Sequence, residues 1–192
     1  MAWKPDYITA AQAKAHLRID DAVDDTELGV WITAASRAID DATNRQFGQL
    51  GVAAARTYRR PPAYDVTTGL YLVEIDDVQD TTGMLVDGTA VDQVATLLPD
   101  NAPADGRPYE RLGFDYRPTM PVVVTAVWGW DAVPTQVVGA CKLQVARFHA
   151  RRDSPYGIAG SPDTGSEMRL LARLDPDVRV ALAGLARFRL PG

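Results

Sequence analysis

The stretch Val122-Val123-Val124-Thr125-Ala126-Val127-Trp128-Gly129-Trp130-Asp131-Ala132-Val133-Pro134-Thr135 decides how the rest of the chain is read. Its first seven residues are β-branched or aromatic apart from one alanine, the composition of a strand on a pleated surface. Gly129 interrupts that pattern, and Pro134 sits where a proline suits the first turn of a helix. Beyond it Val137, Cys141, Val145 and Phe148 recur on one helical face, with Val138 and Ala140 widening it. Arg147, His149, Arg151 and Arg152 fill the last turns, the charge that a helix C-terminus favours. The spacing predicts a helix over 135–152. A β-rich part of the chain therefore gives way to a helical one at this junction.

Upstream, from Arg56, the pattern is one of short strands. Leu70–Ile75, Met84–Val86 and Thr89–Val91 are β-type runs, and Asp87-Gly88 between the last two is a type I′ hairpin signal. Between Pro99 and Pro121 the density of Pro, Gly, Asp and Arg predicts a long loop with at most a short strand around Phe114.

The first fifty residues predict two helices. Thr9-Ala10-Ala11-Gln12 is a capping box with Ile8 and Ala13 at staple positions, opening a helix over 10–18. Asp24-Asp25-Thr26-Glu27 repeats the device, with Asp24 as cap and Val23 and Leu28 as staple, opening a helix over 24–43. Leu28, Trp31 or Ile32, Ala35, Ile39 and Ala42 give that helix one apolar face, ended by Asn44 and Gly48.

Downstream of the third helix, Ser154 to Ser166 holds Pro155, Gly157, Gly160, Pro162 and Gly165, a linker by composition. Asp175-Pro176 then opens a short helix with Val178, Leu182, Leu185 and Phe188 on one face. The expected fold class is α+β, a helical bundle body carrying an inserted β-rich subdomain and a C-terminal arm. Its expected parts are a helical hairpin over 1–50, the β insert over 51–132, the third body helix over 133–153, and linker plus docking arm over 154–192. Trp31, Ile32, Ala35, Ile39, Val137, Cys141, Val145 and Phe148 are the expected core of the body. A helix of about a dozen residues is marginal alone in water, so the arm is expected to order only on a partner. Its expected contacts are Leu170, Leu171, Leu174, Val178, Leu182, Leu185 and Phe188, with Arg179, Arg187 and Arg189 around them.

Composition excludes several kinds of chemistry. With 192 residues, 46% hydrophobic and 23% charged, the chain is an ordinary globular one. Its longest apolar candidate, Met120–Trp130, is too short for a membrane span and holds Pro121 and Gly129. The N-terminus lacks the features of a signal peptide, so a protein made in a cytoplasm is expected. One cysteine, Cys141, excludes an internal disulfide framework and a thiolate zinc cage. His16 and His149 have no partner at ligand spacing, so no metal or other cofactor is expected. Gly157-Ile158-Ala159-Gly160-Ser161 lacks the Gly-Lys-Ser/Thr ending of a phosphate loop. The run Asp20, Asp21, Asp24, Asp25 lacks the glycine and terminal glutamate of a calcium loop. Asp76 and Asp77 could form a hydrolytic pair, although among twenty-five acids adjacent pairs arise by chance.

The formal charge of -5 is unevenly spread. Residues 1–50 hold five basic and eight acidic groups, residues 51–132 six and twelve, and residues 133–192 nine and five. Asp76, Asp77 and Asp80 are the expected acidic surface of the insert, supported by Asp65, Glu74, Asp87 and Asp92. Such a body repels a duplex, so contact with DNA is expected to be non-adhesive.

Two stretches resemble a known family. Ile8-Thr9-Ala10-Ala11-Gln12-Ala13-Lys14-Ala15-His16-Leu17-Arg18-Ile19-Asp20, with the acidic turn, the helix through Ile32–Ile39 and Asn44-Arg45-Gln46-Phe47, resembles the opening of the head-to-tail connector, or adaptor, proteins of long-tailed bacteriophages. Val127-Trp128-Gly129-Trp130-Asp131-Ala132-Val133-Pro134 resembles that family's junction into its third helix. Arg151-Arg152-Asp153-Ser154-Pro155-Tyr156-Gly157 resembles the end of that helix in versions from actinobacterial phages. The resemblance spans about half the chain, and the β insert departs from the compact, nearly all-helical members. It implies a non-enzymatic structural protein of the virion head-tail junction, assembled in the host bacterial cytoplasm. It also implies a ring of typically twelve copies beneath the portal protein, an arm that grips the portal, and a stopper or tail-completion protein on the other side. Double-stranded DNA would pass through without tight binding, and no membrane is involved. The residues alone also admit another neck or tail-completion protein, an unrelated enzyme, or a carbohydrate-binding β module.

Overall fold

The computed structural model describes residues 3–102, 104–152, 158–159, 168–169 and 175–187. In chain order its elements are α1 (Ala10–Leu17), α2 (Asp25–Thr43), β1 (Ala54–Tyr58), β2 (Ala63–Asp65), β3 (Leu70–Val78), β4 (Leu85–Val86), β5 (Thr89–Ala90), α3 (Val91–Val94), β6 (Thr96–Leu98), β7 (Tyr109–Phe114), β8 (Val122–Ala126), α4 (Thr135–Arg152), β9 (Ile158–Ala159), β10 (Met168–Arg169) and α5 (Pro176–Leu182), followed by a 3₁₀ turn over Ala183–Leu185. The class is α+β. The chain divides into two units, one made chiefly of Gln46–Ala132 with the N-terminal residues up to Pro5, the other of Asp6–Arg45 with Val133–Arg189.

In the helical unit the Thr9 box forms as expected. Gln12 N–H donates to Thr9 Oγ1 at 3.2 Å, and Thr9 N–H donates to Gln12 Oε1 at 2.8 Å. The second box does not form. Asp24 makes no capping bond, because its carboxylate accepts from Arg152 Nη1 at 2.6 Å, and Val23 stands 85% exposed instead of stapling. α2 and α4 pack through Leu28, Ile32, Ala35 and Ile39 against Val137, Ala140, Cys141 and Val145, all buried.

Two expected core aromatics are only half-buried. Trp31 meets His149 edge-on at 5.6 Å, and Phe148 lies on the same last stretch of α4, where the interface runs out toward the pair of the exposed Arg152 and the half-buried Asp24. Ala42 is exposed, and Thr43 takes the buried position with Thr43 Oγ1 donating to Ile39 O at 2.8 Å. That back-bond lets a hydroxyl sit in an apolar face without an orphaned donor. Gln144 is likewise buried on α4.

The β unit is two antiparallel four-stranded sheets, ordered β1-β8-β4-β5 and β2-β3-β7-β6. The strand Val122–Ala126 is central, with β1 on one side and β4 on the other. Asp87 and Gly88 both have positive φ, 49° and 84°, as a type I′ turn between β4 and β5 requires. The segment expected as a long loop contains β7, a six-residue central strand paired with both β3 and β6. Gly113 and the outward Arg111 obscured it, and the glycine has a packing reason: a Cβ there would lie 2.7 Å from Leu70 Cδ1. Val73, Ile75, Leu112 and Phe114 of one sheet share a core with Val86, Val122, Val124 and Trp128 of the other. The stretch expected as a linker contains β9, which pairs antiparallel with β10 just beyond that stretch, Arg169 opposite Ile158.

Where the chain enters and leaves this unit, three segments cross. Leu50 N–H donates to Trp128 O at 2.8 Å and Trp130 N–H to Gly48 O at 2.9 Å. On the other side Gly129 N–H donates to Asp77 O at 2.7 Å and Gln79 N–H to Gly129 O at 3.1 Å. Gly129 has φ 114°, and a Cβ on it would fall 1.9 Å from Gly48 O. No other residue fits between two backbones that close. Gly129→Ala is therefore expected to cost about 3 kcal/mol or more in urea denaturation. Gly139→Ala, in open space on the exposed side of α4, should stabilise by about 0.5 to 1 kcal/mol.

Candidate interaction surfaces

Of the three acidic residues expected on the surface of the insert, Asp77 is inside. It is 6% exposed, and its Oδ2 accepts from Trp130 Nε1 at 2.8 Å, the partner a buried indole needs. The strand alternation that points Val73 and Ile75 inward carries Asp77 inward too. Asp76, half-buried on the opposite face, accepts from Arg56 Nη1 at 2.7 Å and from Tyr58 Oη at 3.1 Å. Burial first, and then the Asp76 charge, push the Tyr58 phenol well above its ordinary range. Arg56 stacks between Trp3 and Trp128, its guanidinium carbon 4.5 and 4.7 Å from the two ring centroids. This stack ties the N-terminal residues to the sheet, and nothing in the sequence pattern pointed to it.

Asp80 is the one of the three whose carboxylate faces solvent. Its Oδ1 accepts from Thr82 N–H at 2.9 Å, which holds its carboxyl below the usual range. Asp65 is held down in the same way by Thr67 N–H and the Thr68 hydroxyl. These two carboxylates therefore serve turns.

The arm residues divide differently. Leu170, Leu171, Leu174, Phe188 and Arg189 lie outside the described residues. Val178 and Leu182 are buried, 0% and 3% exposed, because α5 packs on α4 of its own chain. This corrects the expectation of a helix that waits for a partner. Asp175 caps α5 by accepting from Asp177 N–H at 2.9 Å, and also accepts from Arg147 Nη1 at 3.0 Å. The end of α2 holds the following turn: Arg45 Nε donates to Leu185 O at 2.6 Å and Asn44 Nδ2 to Arg187 O at 3.2 Å. Arg187 is itself buried, its N–H donating to Thr43 O at 2.8 Å, and Leu185 is half-buried. Arg179 and Val180 face outward.

Cys141 lies at 0% exposure, 3.7 Å from Ser36 Oγ. That hydroxyl donates to Ile32 O and accepts from Tyr7 N–H, which leaves the thiol as donor. Burial pushes the thiol up to about 11, against the pull of the Ser36 bond. A neutral, enclosed thiol is a packing group, not a nucleophile. Among the described residues no three His, Cys, Asp or Glu side chains are placed to hold a metal ion. No helix among them is long and apolar enough to cross a membrane.

The β2-β3-β7-β6 sheet carries one apolar surface that the sequence did not single out. Tyr64 lies opposite Tyr71 with ring centroids 5.0 Å apart, and Tyr71 lies opposite Phe114. This ladder runs from the buried Phe114 out to Tyr64, which is 56% exposed, beside Val66 at 84%. Tyr116, also exposed, meets Phe114 at 5.9 Å.

The whole chain is similar in fold to one from a particle neck. That solved structure is described as the neck of an empty GTA particle computed with C6 symmetry. The likeness covers 100% of this chain and 95% of the other, at a TM-score of 0.58 and 19% sequence identity. No protein-family model matches the sequence, and no curated protein matches it. At that identity the likeness is one of fold alone, so the residues of each surface must be argued on their own.

Leu182→Ala is expected to cost about 2 to 5 kcal/mol in urea denaturation. Val180→Ala, at an outward position, should stay within about 0.5 kcal/mol. Equal, negligible effects would mean that α5 is not seated on its own chain. Because the folded thiol of Cys141 titrates near 11 and the unfolded one near 9.0, the unfolded chain loses its proton first. The contribution of Cys141 to stability should be level below about pH 9 and fall from there to about pH 11. Cys141→Ala should flatten the slope between about pH 9 and 10 in melts compared across the range, while the raised Tyr58 phenol keeps a slope above about pH 10.

Proposed function

We propose that this chain is a structural, non-enzymatic protein of the neck of a phage-like particle, acting as the head-to-tail adaptor. The observation that carries the reading is the likeness in fold, over the full length of this chain, to a chain described as part of the neck of a GTA particle. The family resemblance at Ile8–Asp20 and Val127–Pro134 points the same way from the residues themselves. In this reading copies form a ring beneath the portal protein and receive a stopper or tail-completion protein on the other side. Twelve copies are compatible with the six-fold symmetry in the description of the GTA neck. The protein would reside at the head-tail junction after assembly in the host bacterial cytoplasm. An excess of acid over base in residues 51–132 suits a DNA channel through which a duplex slides.

The arm grips the portal and neighbouring copies through Leu170, Leu171, Leu174, Phe188 and Arg189 and through the outward side of α5 at Arg179 and Val180. Val178 and Leu182 seat α5 on its own subunit, and Arg187 and Leu185 fasten its end to α2. An arm held this way presents its outward side pre-organised, which lowers the ordering cost of binding.

Deleting the gene from a producing strain is the test. Electron microscopy of the lysate should show DNA-filled heads and separate tails that fail to join, restored by supplying the chain. Joined, infectious particles made without it would contradict the reading.

A further inference from the structure

We propose that the β2-β3-β7-β6 sheet continues from one copy of this chain into the next, the β2 edge of each copy pairing antiparallel with the β6 edge of its neighbour. The proposal rests on the ring reading and names the surface through which neighbouring copies meet. Its first ground is topological. Among the described residues β2 pairs only with β3 and β6 only with β7. Every pairing in this four-stranded sheet is antiparallel, so its two outer strands run in opposite directions. Rotating a second copy alongside the first therefore brings β6 beside β2 in antiparallel sense. The same step repeats for every further copy, as a head-to-tail ring requires.

Side chains supply the second ground. In an end-matched register Ala63 faces Leu98, Tyr64 faces Leu97 and Asp65 faces Thr96 of the neighbouring copy. Tyr64 shares the inner face of the sheet with Tyr71 and Phe114, and Leu97 lies opposite Leu112 on that same face. The exposed Tyr64 ring and the half-buried Leu97 are thus a same-face cross-strand pair, aromatic against aliphatic. The third ground is charge. Arg59 and Arg60 precede β2, and Asp100 follows β6, all exposed. Antiparallel pairing sets the basic lead of one edge beside the acidic trailing end of the other.

Particles carrying the Tyr64→Cys/Leu97→Cys chain, oxidised mildly and run on a non-reducing gel, test this directly. Cys141 is enclosed and stays out of the reaction. A ladder of covalent multimers is expected from the double variant. Mixed single variants should give only dimers linked between 64 and 97. If the chain is present at the neck and yields no such adduct, or links 64 to 64, the sheet does not continue and the ring reading stands. If the chain is absent from the particles, the ring reading and this proposal fall together. Because Leu97→Cys removes packing, a second pair guards the conclusion. Asp100→Arg should cut the yield of joined particles and Arg59→Asp in the same chain should restore it; no restoration would overturn the pairing.

Discussion

Gly129 pressed against Gly48 is the contact on which the β unit depends. The chain enters that unit at Gln46 and leaves it at Ala132, and the crossing closes it there like a clasp. Four backbone hydrogen bonds converge on it, two to the entering segment and two to the end of β3. Side chains reinforce the same point: Gln49 Nε2 donates to Asp131 Oδ1 at 2.6 Å, and Asp131 N–H donates to Gln79 Oε1 at 2.6 Å. Phe47 and Trp130, both buried, pack with ring centroids 5.2 Å apart. Asp77 then becomes intelligible as a structural acid, since its carboxylate and its carbonyl each hold one residue of the Gly129-Trp130 pair.

The helical unit solves a different problem, the orphaned carbonyls at the end of its chain. α5, with 7 residues, makes about two turns and runs into a 3₁₀ turn. The carbonyls of Leu185, which ends that turn, and of Arg187 just beyond it accept from Arg45 and Asn44 at the end of α2. The arginines therefore fasten the arm by donating to backbone, as well as by pairing with carboxylates such as Asp175. Asn44 has a left-handed backbone, φ 51°, and thus ends α2 while holding the arm.

Periodicity made the helices legible, because one apolar face repeated over four turns leaves few other conformations. The Asp87-Gly88 hairpin was legible for the same local reason, a turn that demands two positive φ angles. What escaped was set by distant partners. Asp24 reads as a cap until Arg152, far along the chain, takes its carboxylate. Tyr109–Phe114 reads as loop because Gly113 and Arg111 look like breakers, and the sequence cannot show Leu70 and Leu98 packed over the glycine. Asp77 reads as surface because the sequence cannot show Trp130 waiting for an acceptor. The seating of α5 was hidden for a similar cause: an apolar helical face looks the same whether it meets its own subunit or another.

In the clasped β unit, in the arm held at both ends of its helix and at the enclosed thiol, the polar side chains serve internal fastening. The single measurement that bears most directly on this account is a cryo-EM map of the neck of a particle that packages this gene's product. The account predicts symmetric density at the head-tail junction into which this chain fits along its whole length. A junction fully accounted for by other proteins, with no copy of this chain, would contradict it.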